Sequence, residues 1–353
     1  MGIPTIQGVQ ATRVRTARIE TRVLLAGSGR GVPVLFVHGN LASATWWEET
    51  MVRLPARFRA IAPDLRGYGE SEPEENIDAT RGMGDLADDA VALLDHLEIP
   101  RAHVVGNSLG GCVVWHLLAR HSGRLRSAVL VAPGSPYGFG GTKDADGTPC
   151  QPDFAGSGAG LVSPELVARL RAGDRTTESP LSPRSALRGL VFGEGCVPER
   201  EEDYLSATLA VHLGESGYPG DAVRSPHWPF VAPGMWGPNN ALSPKYMCPA
   251  AEIVAARPKV PVLWIRGDRD KVVANGAASD PGTLGAIGLI PGWPGATHYP
   301  PQPMVDQIRA VLDLYAEAGG TYQEAVLEGS GHVPFVDAPE RFDAVFHAHL
   351  SES

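Results

Sequence analysis

One stretch constrains the fold more than any other: His103-Val104-Val105-Gly106-Asn107-Ser108-Leu109-Gly110-Gly111. An apolar, β-rich run enters a Gly-x-Ser-x-Gly turn, and a helical pattern from Cys112 to Arg120 leaves it at once. Strand, sharp turn and helix in that order are what a nucleophile elbow requires. Such a turn holds its central serine in a strained backbone conformation, and flanking glycines leave room where neighbouring chain crowds in. Ser108 is thereby lifted to the top of a sheet, with the Leu109 N–H aimed into the same space. In a chain with 42 glycines the pentapeptide alone is weak. The strand before it and the helix after it make it specific.

The same rhythm continues on both sides. Residues 12–25 alternate loosely and read as an antiparallel hairpin at a sheet edge. Val32–Val37 is a continuous apolar run, as a strand buried on both faces needs. Helical spacing around Ala44–Leu54, a strand at Phe58–Ala62 and an amphipathic helix at about Met83–Leu97 follow. Another strand is predicted at Ala128–Val131. At Pro133 the alternation stops. Residues 133–257 are rich in Gly, Pro, Ser and aromatics, with helical patterns only at Glu165–Arg171 and Arg200–Val211. A stretch of that length is no simple loop and reads as a cap inserted over a site. The alternation returns with a strand at Val260–Ile265, a Gly/Pro-rich loop at 274–302, a helix at Met304–Ala318, a strand at Tyr322–Leu327 and a helix at Pro339–Leu350. Alternating strands and helices imply a mostly parallel sheet covered on both faces. The expected organisation is an α/β core of residues 1–132 and 258–353, interrupted by a cap at 133–257.

Thirty Lys and Arg against 40 Asp and Glu give a formal charge of −10, with no basic run. Nucleic-acid and anionic-membrane partners are disfavoured on that balance. No secretory leader or bilayer-length apolar run is legible, so a cytoplasmic location is the default expectation. The four cysteines (Cys112, Cys150, Cys196 and Cys248) lack metal-site spacing, and no metal site is predicted. Cys112 reads as a small core residue. A disulfide among the other three is not indicated.

A serine hydroxyl is a weak nucleophile at neutral pH and needs a base. His332, in Gly329-Ser330-Gly331-His332-Val333-Pro334, falls between the last strand and the last helix. That places it at the C-terminal end of the sheet, where open α/β sheets bind ligands. A base needs a carboxylate to fix its tautomer. Arg266-Gly267-Asp268-Arg269-Asp270 follows the penultimate strand and offers two.

In these motifs and in their order, the chain resembles the α/β-hydrolase superfamily over roughly 20–132 and 258–350, on the serine esterase or lactonase side, with a large cap. The resemblance implies an eight-stranded, mostly parallel sheet with helices on both faces. It implies Asp270, three residues after Gly267, as the acid, with Asp268 the runner-up. His38-Gly39-Asn40 is similar to the family's oxyanion loop, so the Asn40 and Leu109 backbone N–H groups would hold an oxyanion. Such donors contribute ~3–4 kcal/mol of transition-state stabilisation. Asp64-Leu65-Arg66-Gly67 resembles the structural turn after the fourth strand.

The expected activity is hydrolysis of a small, hydrophobic carboxylic ester or lactone through an acyl-enzyme on Ser108, His332 and Asp270, with no metal or organic cofactor. Epoxide hydrolases and haloalkane dehalogenases carry Asp where this chain has Ser108 and are disfavoured. Carbon–carbon-bond hydrolases, prolyl aminopeptidases and haloperoxidase-like members use the same triad and stay as alternatives. A non-catalytic ligand-binding homologue is the alternative from another class. Among cap and loop aromatics, Trp228, Trp236, Trp293, Phe139 and Tyr137 could line a pocket, and of Trp46 and Trp47 after the oxyanion loop one could reach the site while the other packs; Trp46, Trp228 and Trp236 are the candidate substrate contacts, although aromatics in such a cap are more often local core. His38 reads as a structural hydrogen-bonding residue, His212 and His227 as packing or surface histidines, and Asp64 with Arg66 as a turn-stabilising pair. Asp85, Asp88 and Asp89 read as a solvated face at a helix start. Oligomeric state is left open.

Overall fold

The computed structural model describes residues 5–353. Eight strands form one sheet: β1 (Val9–Arg15), β2 (Glu20–Gly27), β3 (Val32–Val37), β4 (Phe58–Pro63), β5 (Ala102–Asn107) and β6 (Leu125–Val131), then β11 (Pro261–Gly267) and β12 (Thr321–Leu327). Between them in sequence lie two short pairs, β7 (Leu213–Gly214) with β8 (Tyr218–Pro219) and β9 (Ala222–Arg224) with β10 (Val231–Pro233). The sheet order is β1-β2-β4-β3-β5-β6-β11-β12. β1 and β2 form the antiparallel hairpin expected from residues 12–25, β2 meets β4 antiparallel, and every later pairing is parallel.

The strand period of two decides how the core divides. In β3, Leu35 and Val37 join the core on one face, while Val34 and Phe36 join the core on the other. β5 does the same with Val104 and Val105. The first face is closed by the helices Gly84–His96, Leu109–His121 and Met304–Glu317, through Leu86, Val113, Leu117, Ile308 and Leu312. The second is closed by Trp47 and by the helix Pro339–Glu352, through Phe342 and Phe346. Both faces being covered is why β3 reads as an unbroken apolar run.

Residues between β6 and β11 hold more regular structure than their composition announced. Beyond helices at Pro164–Arg171 and Glu201–Leu209 there are short ones at Pro183–Ala186, Pro238–Ala241 and Ala250–Ala255, and a π turn at Leu187–Val191. The 274–302 segment also contains a helix, Pro281–Ala286. These pieces are too short, or too polar on average, to give a periodic signal. A buried amide network ties the segment to the core. Gln307 Oε1 accepts from Ser135 Oγ at 2.7 Å and from Gln302 Nε2 at 2.8 Å, and Gln302 Oε1 accepts from the Gly140 N–H at 2.7 Å.

Two readings of charged residues are corrected. Asp85 and Asp89 are buried, not solvated. Arg18 reaches both, at 3.2 and 2.7 Å, and Arg66 holds Asp89 through two bonds of 2.8 and 2.9 Å. Asp64 and Arg66 are not each other's partners. Arg66 takes Asp89 and Glu75, whereas Asp64 accepts from the Ala44 and Glu70 N–H groups and faces Arg22 at 3.5 Å. Both residues hold the turn, through separate networks that no local spacing reveals.

Candidate active site

The elbow is built by contact between backbones. Ser108 sits at φ 56°, ψ −117°, a region that side chains other than glycine rarely occupy. A Cβ on Gly106 would stand 2.2 Å from the Gly110 carbonyl oxygen, and one on Gly110 would stand 2.3 Å from that of Val37. Neither position accepts any residue but glycine without moving a strand. The Ser108 N–H donates to the Val131 carbonyl at 3.1 Å, and its carbonyl accepts from Cys112 and Gly134. The strained turn is therefore fixed from β6 on one side and from the following helix on the other.

His332 follows β12 and Asp270 follows β11, so both stand at the C-terminal edge of parallel neighbours. His332 Nδ1 lies 2.9 Å from Asp270 Oδ2, and the pair is buried. Asp270 Oδ1 accepts from the Val272 and Val273 N–H groups at 2.7 and 3.0 Å, which orients the carboxylate. Asp268 points elsewhere and accepts from the Gly329 N–H. With Nδ1 committed to Asp270, Nε2 is the ring atom left to exchange a proton.

Ser108 and His332 line one cavity of about 210 Å³. Gly39, Asn40 and Leu41 line it from the loop after β3, and Leu166, Pro183, Ala186, Leu187, Leu190 and Val191 line it as an apolar wall from the segment between β6 and β11. Among the described residues no Asp, Glu, Lys or Arg lines it. At the loop after β3, Leu41 adopts φ 52°, and a Cβ on Gly39 would sit 3.1 Å from Ser108 Cβ. The Asn40 and Leu109 backbone N–H groups have no hydrogen-bond acceptor among the described residues. The Asn40 side chain is occupied otherwise: Oδ1 accepts from Tyr68 Oη at 2.7 Å, and Nδ2 donates to Asn239 at 3.2 Å.

His38 is a structural residue. The Leu65 N–H donates to its Nε2 at 2.9 Å, which leaves Nδ1 to donate to the Gly39 carbonyl at 2.8 Å. Burial pushes its pKa down to about 4, against a smaller opposing pull from Asp64, so the ring is neutral. Of the three tryptophans expected at the substrate, Trp46 lines the cavity, with its ring against Tyr204. Trp47 packs on Phe335 instead. Trp228 and Trp236 are not brought to the cavity. Trp228 packs edge-on to Tyr299 and donates to the Pro291 carbonyl, and Trp236 is partly exposed beside Asp78. Trp228 lies between β9 and β10 and Trp236 just after β10, and neither lines the cavity. His212 and His227 make local contacts to Gly69 and Asp153.

Three participants were missed. Asn107 is buried and its Nδ2 donates to the Val131 and His332 carbonyls at 3.1 and 3.2 Å, linking the elbow to the histidine loop. An amide at the end of a buried strand, next to the serine, was the available signal. Thr208 and Ser279 also reach the cavity, from segments whose sequence carries no motif. All four cysteines are free thiols; Cys112 and Cys248 are buried. No group of His, Cys, Asp and Glu among the described residues is arranged to hold a metal ion, and no helix there is long and apolar enough to cross a membrane.

Comparison with known proteins agrees with this architecture. A 2-hydroxymuconate semialdehyde hydrolase from Pseudomonas sp. (strain CF600) is 40% identical over 113 residues, 31% of this chain and 39% of that protein. An uncharacterized carboxylesterase from Bacillus subtilis (strain 168) is 30% identical over 118 residues, 33% of this chain and 39% of its own. The chain spans less than half the length of the curated relatives it matches. Among solved structures, a carboxylesterase from Bacillus subtilis aligns with a TM-score of 0.59 at 16% identity, covering 98% of this chain and 92% of that one. The enol-lactonase from Burkholderia xenovorans LB400 aligns at 0.55 and 17%, covering 96% and 100%. The family described as alpha/beta hydrolase fold matches residues 32–284, and the chain belongs to that family.

Proposed function

We propose that the protein is a serine hydrolase of small, uncharged carboxylic esters or lactones, with Ser108 as nucleophile, His332 as base and Asp270 as its orienting acid. One observation carries this reading. A serine held at φ 56° and a histidine whose Nδ1 is tied to a buried carboxylate open into the same cavity. Ser108 Oγ attacks the substrate carbonyl as its proton passes to His332 Nε2. The carbonyl oxygen gathers negative charge and is held by the Asn40 and Leu109 N–H groups. The tetrahedral adduct collapses to an acyl-enzyme as His332 returns the proton to the leaving alkoxide, and His332 then takes a proton from the water that releases the acid.

The uncharged lining supports the substrate class. An anionic acyl chain would lose its hydration without gaining a cationic partner, which is strongly unfavourable. The residues between β6 and β11 that form the apolar wall act as the cap over the serine.

A fluorophosphonate probe on the folded protein tests the reading, together with turnover of ester, lactone and vinylogous diketone panels. The expected result is labelling confined to Ser108, with ester turnover falling on the order of 10⁴-fold or more in Ser108→Ala. Folded protein that is not labelled, or Ser108→Ala at full rate, overturns it. Diketone cleavage in place of ester turnover moves the reaction to carbon–carbon bonds on the same three groups.

A further inference from the structure

We propose that Asp337 is a positioning residue for His332: its carboxylate clasps the loop that carries the histidine to the segment that forms the apolar wall of the cavity. This rests on His332 being the base.

Three donors converge on that carboxylate from two parts of the chain. The Gly193 N–H donates to Oδ1 at 2.9 Å, and the Gly331 N–H donates to Oδ2 at 2.7 Å. Ser330 Oγ donates to Oδ2 at 3.2 Å. Gly331 and Ser330 immediately precede the histidine. Gly193 follows the π turn Leu187–Val191, three of whose side chains (Leu187, Leu190 and Val191) line the cavity. Next to the clasp the backbones touch. The His332 N–H donates to the Val191 carbonyl at 2.9 Å, and a Cβ on Gly331 would stand 2.8 Å from the Gly193 nitrogen.

The chemistry calls for a carboxylate in particular. Every group aimed at Asp337 is a donor, and only an acceptor on both oxygens satisfies them. Burial raises the pKa of this carboxyl more than its donors lower it, so holding it there is costly. The fold tolerates that cost at the one junction where wall and histidine loop meet. Asp270 faces His332 from the β11 loop, and Asp337 adds to the burial that raises the pKa of the Cys196 thiol to about 11.

The test compares wild type, Asp337→Asn and Ser330→Ala. Readouts are kcat and KM on a short-chain p-nitrophenyl ester, the acidic limb of the kcat/KM pH profile, and thermal unfolding. Asn turns an NH₂ group against the converging donors. The expected result is a kcat fall of about 10- to 100-fold with KM within about twofold, since small misplacements of a base cost that much. A His332 held less firmly against Asp270 also changes the shape of the acidic limb, which a contact serving only the fold does not touch. Ser330→Ala removes one donor and leaves the carboxylate, and moves both readouts the same way by a smaller amount. It carries the test if Asp337→Asn does not fold. A variant that lowers the melting temperature while leaving kcat and the pH limb at wild-type values makes Asp337 a mere fold contact and overturns the proposal. Fluorophosphonate labelling of wild-type Ser108 separates the two readings. No labelling removes the hydrolase reading itself, whereas labelling with an unchanged Asp337→Asn profile removes only the clasp.

Discussion

His332 Nδ1 and Asp270 Oδ2 stand 2.9 Å apart, with the second oxygen of Asp270 taken by two backbone amides. Asp268, two residues earlier, turns its carboxylate to the Gly329 N–H instead. Asp270→Asn is expected to lower kcat/KM by about 10³- to 10⁴-fold, because an amide stabilises the wrong tautomer of the imidazole. Asp268→Asn keeps a carbonyl acceptor for Gly329 and is expected to stay within about threefold of wild type. Paired kinetics on one ester decide the matter, and a larger loss at Asp268 reverses the assignment.

The choice between those carboxylates shows where the sequence stops being legible. The elbow could be read because its signals are local: an apolar strand, a glycine-spaced serine and a helix fall within 20 consecutive residues or so, a window that periodicity covers. His332 could be read because its loop lies between two recognisable elements. Both carboxylates follow the same strand, and only the side-chain directions after Gly267 separate them. Asp337 and Asn107 escaped for another reason. Each bridges its own neighbourhood to a distant backbone group, Asp337 to the Gly193 N–H and Asn107 to the His332 carbonyl, and spacing along the chain contains nothing about such links. Trp228 and Trp236 misled because aromatics beside Pro and Gly look alike whether they line a pocket or pack on Tyr299. The buried Asp85 and Asp89 misled because a helix start rich in acid is usually solvated, and the arginines that cover it come from Arg18 and Arg66 outside the helix.

The apolar wall carries a prediction about chain length. Leu190 lines the same cavity as Ser108. Leu190→Ala is expected to move the preferred p-nitrophenyl ester toward longer acyl chains, improving kcat/KM for the longer ester by about 10-fold or less per methylene accommodated. Acetyl ester turnover is expected to stay within about threefold of wild type, since the serine, base and oxyanion groups are untouched. A chain-length series on both proteins checks this, and an identical profile places the acyl chain elsewhere.

A buried ionic chain links the segment between β6 and β11 to the sheet. Arg200 holds Glu48 Oε2 at 2.6 Å, Glu48 Oε1 lies 3.8 Å from Arg22 Nη2, and Arg22 faces Asp64. Glu48 is fully buried, and burial raises its pKa against the pull of both arginines. Glu48→Gln leaves the buried Arg22 guanidinium short of charge compensation. The expected destabilisation is about 3–5 kcal/mol, the range for breaking a buried pair at one end. Chemical denaturation measures it, and a change below about 1 kcal/mol shows that the chain contributes little beyond packing.

Acid sensitivity follows from buried histidines other than His332. His38, His103 and His349 are buried, and burial lowers each pKa from 6.5 to about 4. Above pH 6.5 both folded and unfolded chains hold these rings neutral, and no stability depends on them. Between pH 6.5 and pH 4 the unfolded chain takes up protons that the folded chain refuses, so stability falls as pH falls. His103 isolates one such contribution. Its Nδ1 lies 2.8 Å from Ser127 Oγ, a contact that an asparagine side chain reproduces without a titrating proton. Carboxylates also titrate in this range, so the informative quantity is the difference between wild type and His103→Asn at each pH. Whatever constant cost the substitution carries, that difference is expected to shift in favour of the variant as pH drops from 7 to 4.5, by on the order of 1–2 kcal/mol. Parallel curves across that range show that His103 takes up its proton as readily in the folded protein as in the unfolded one.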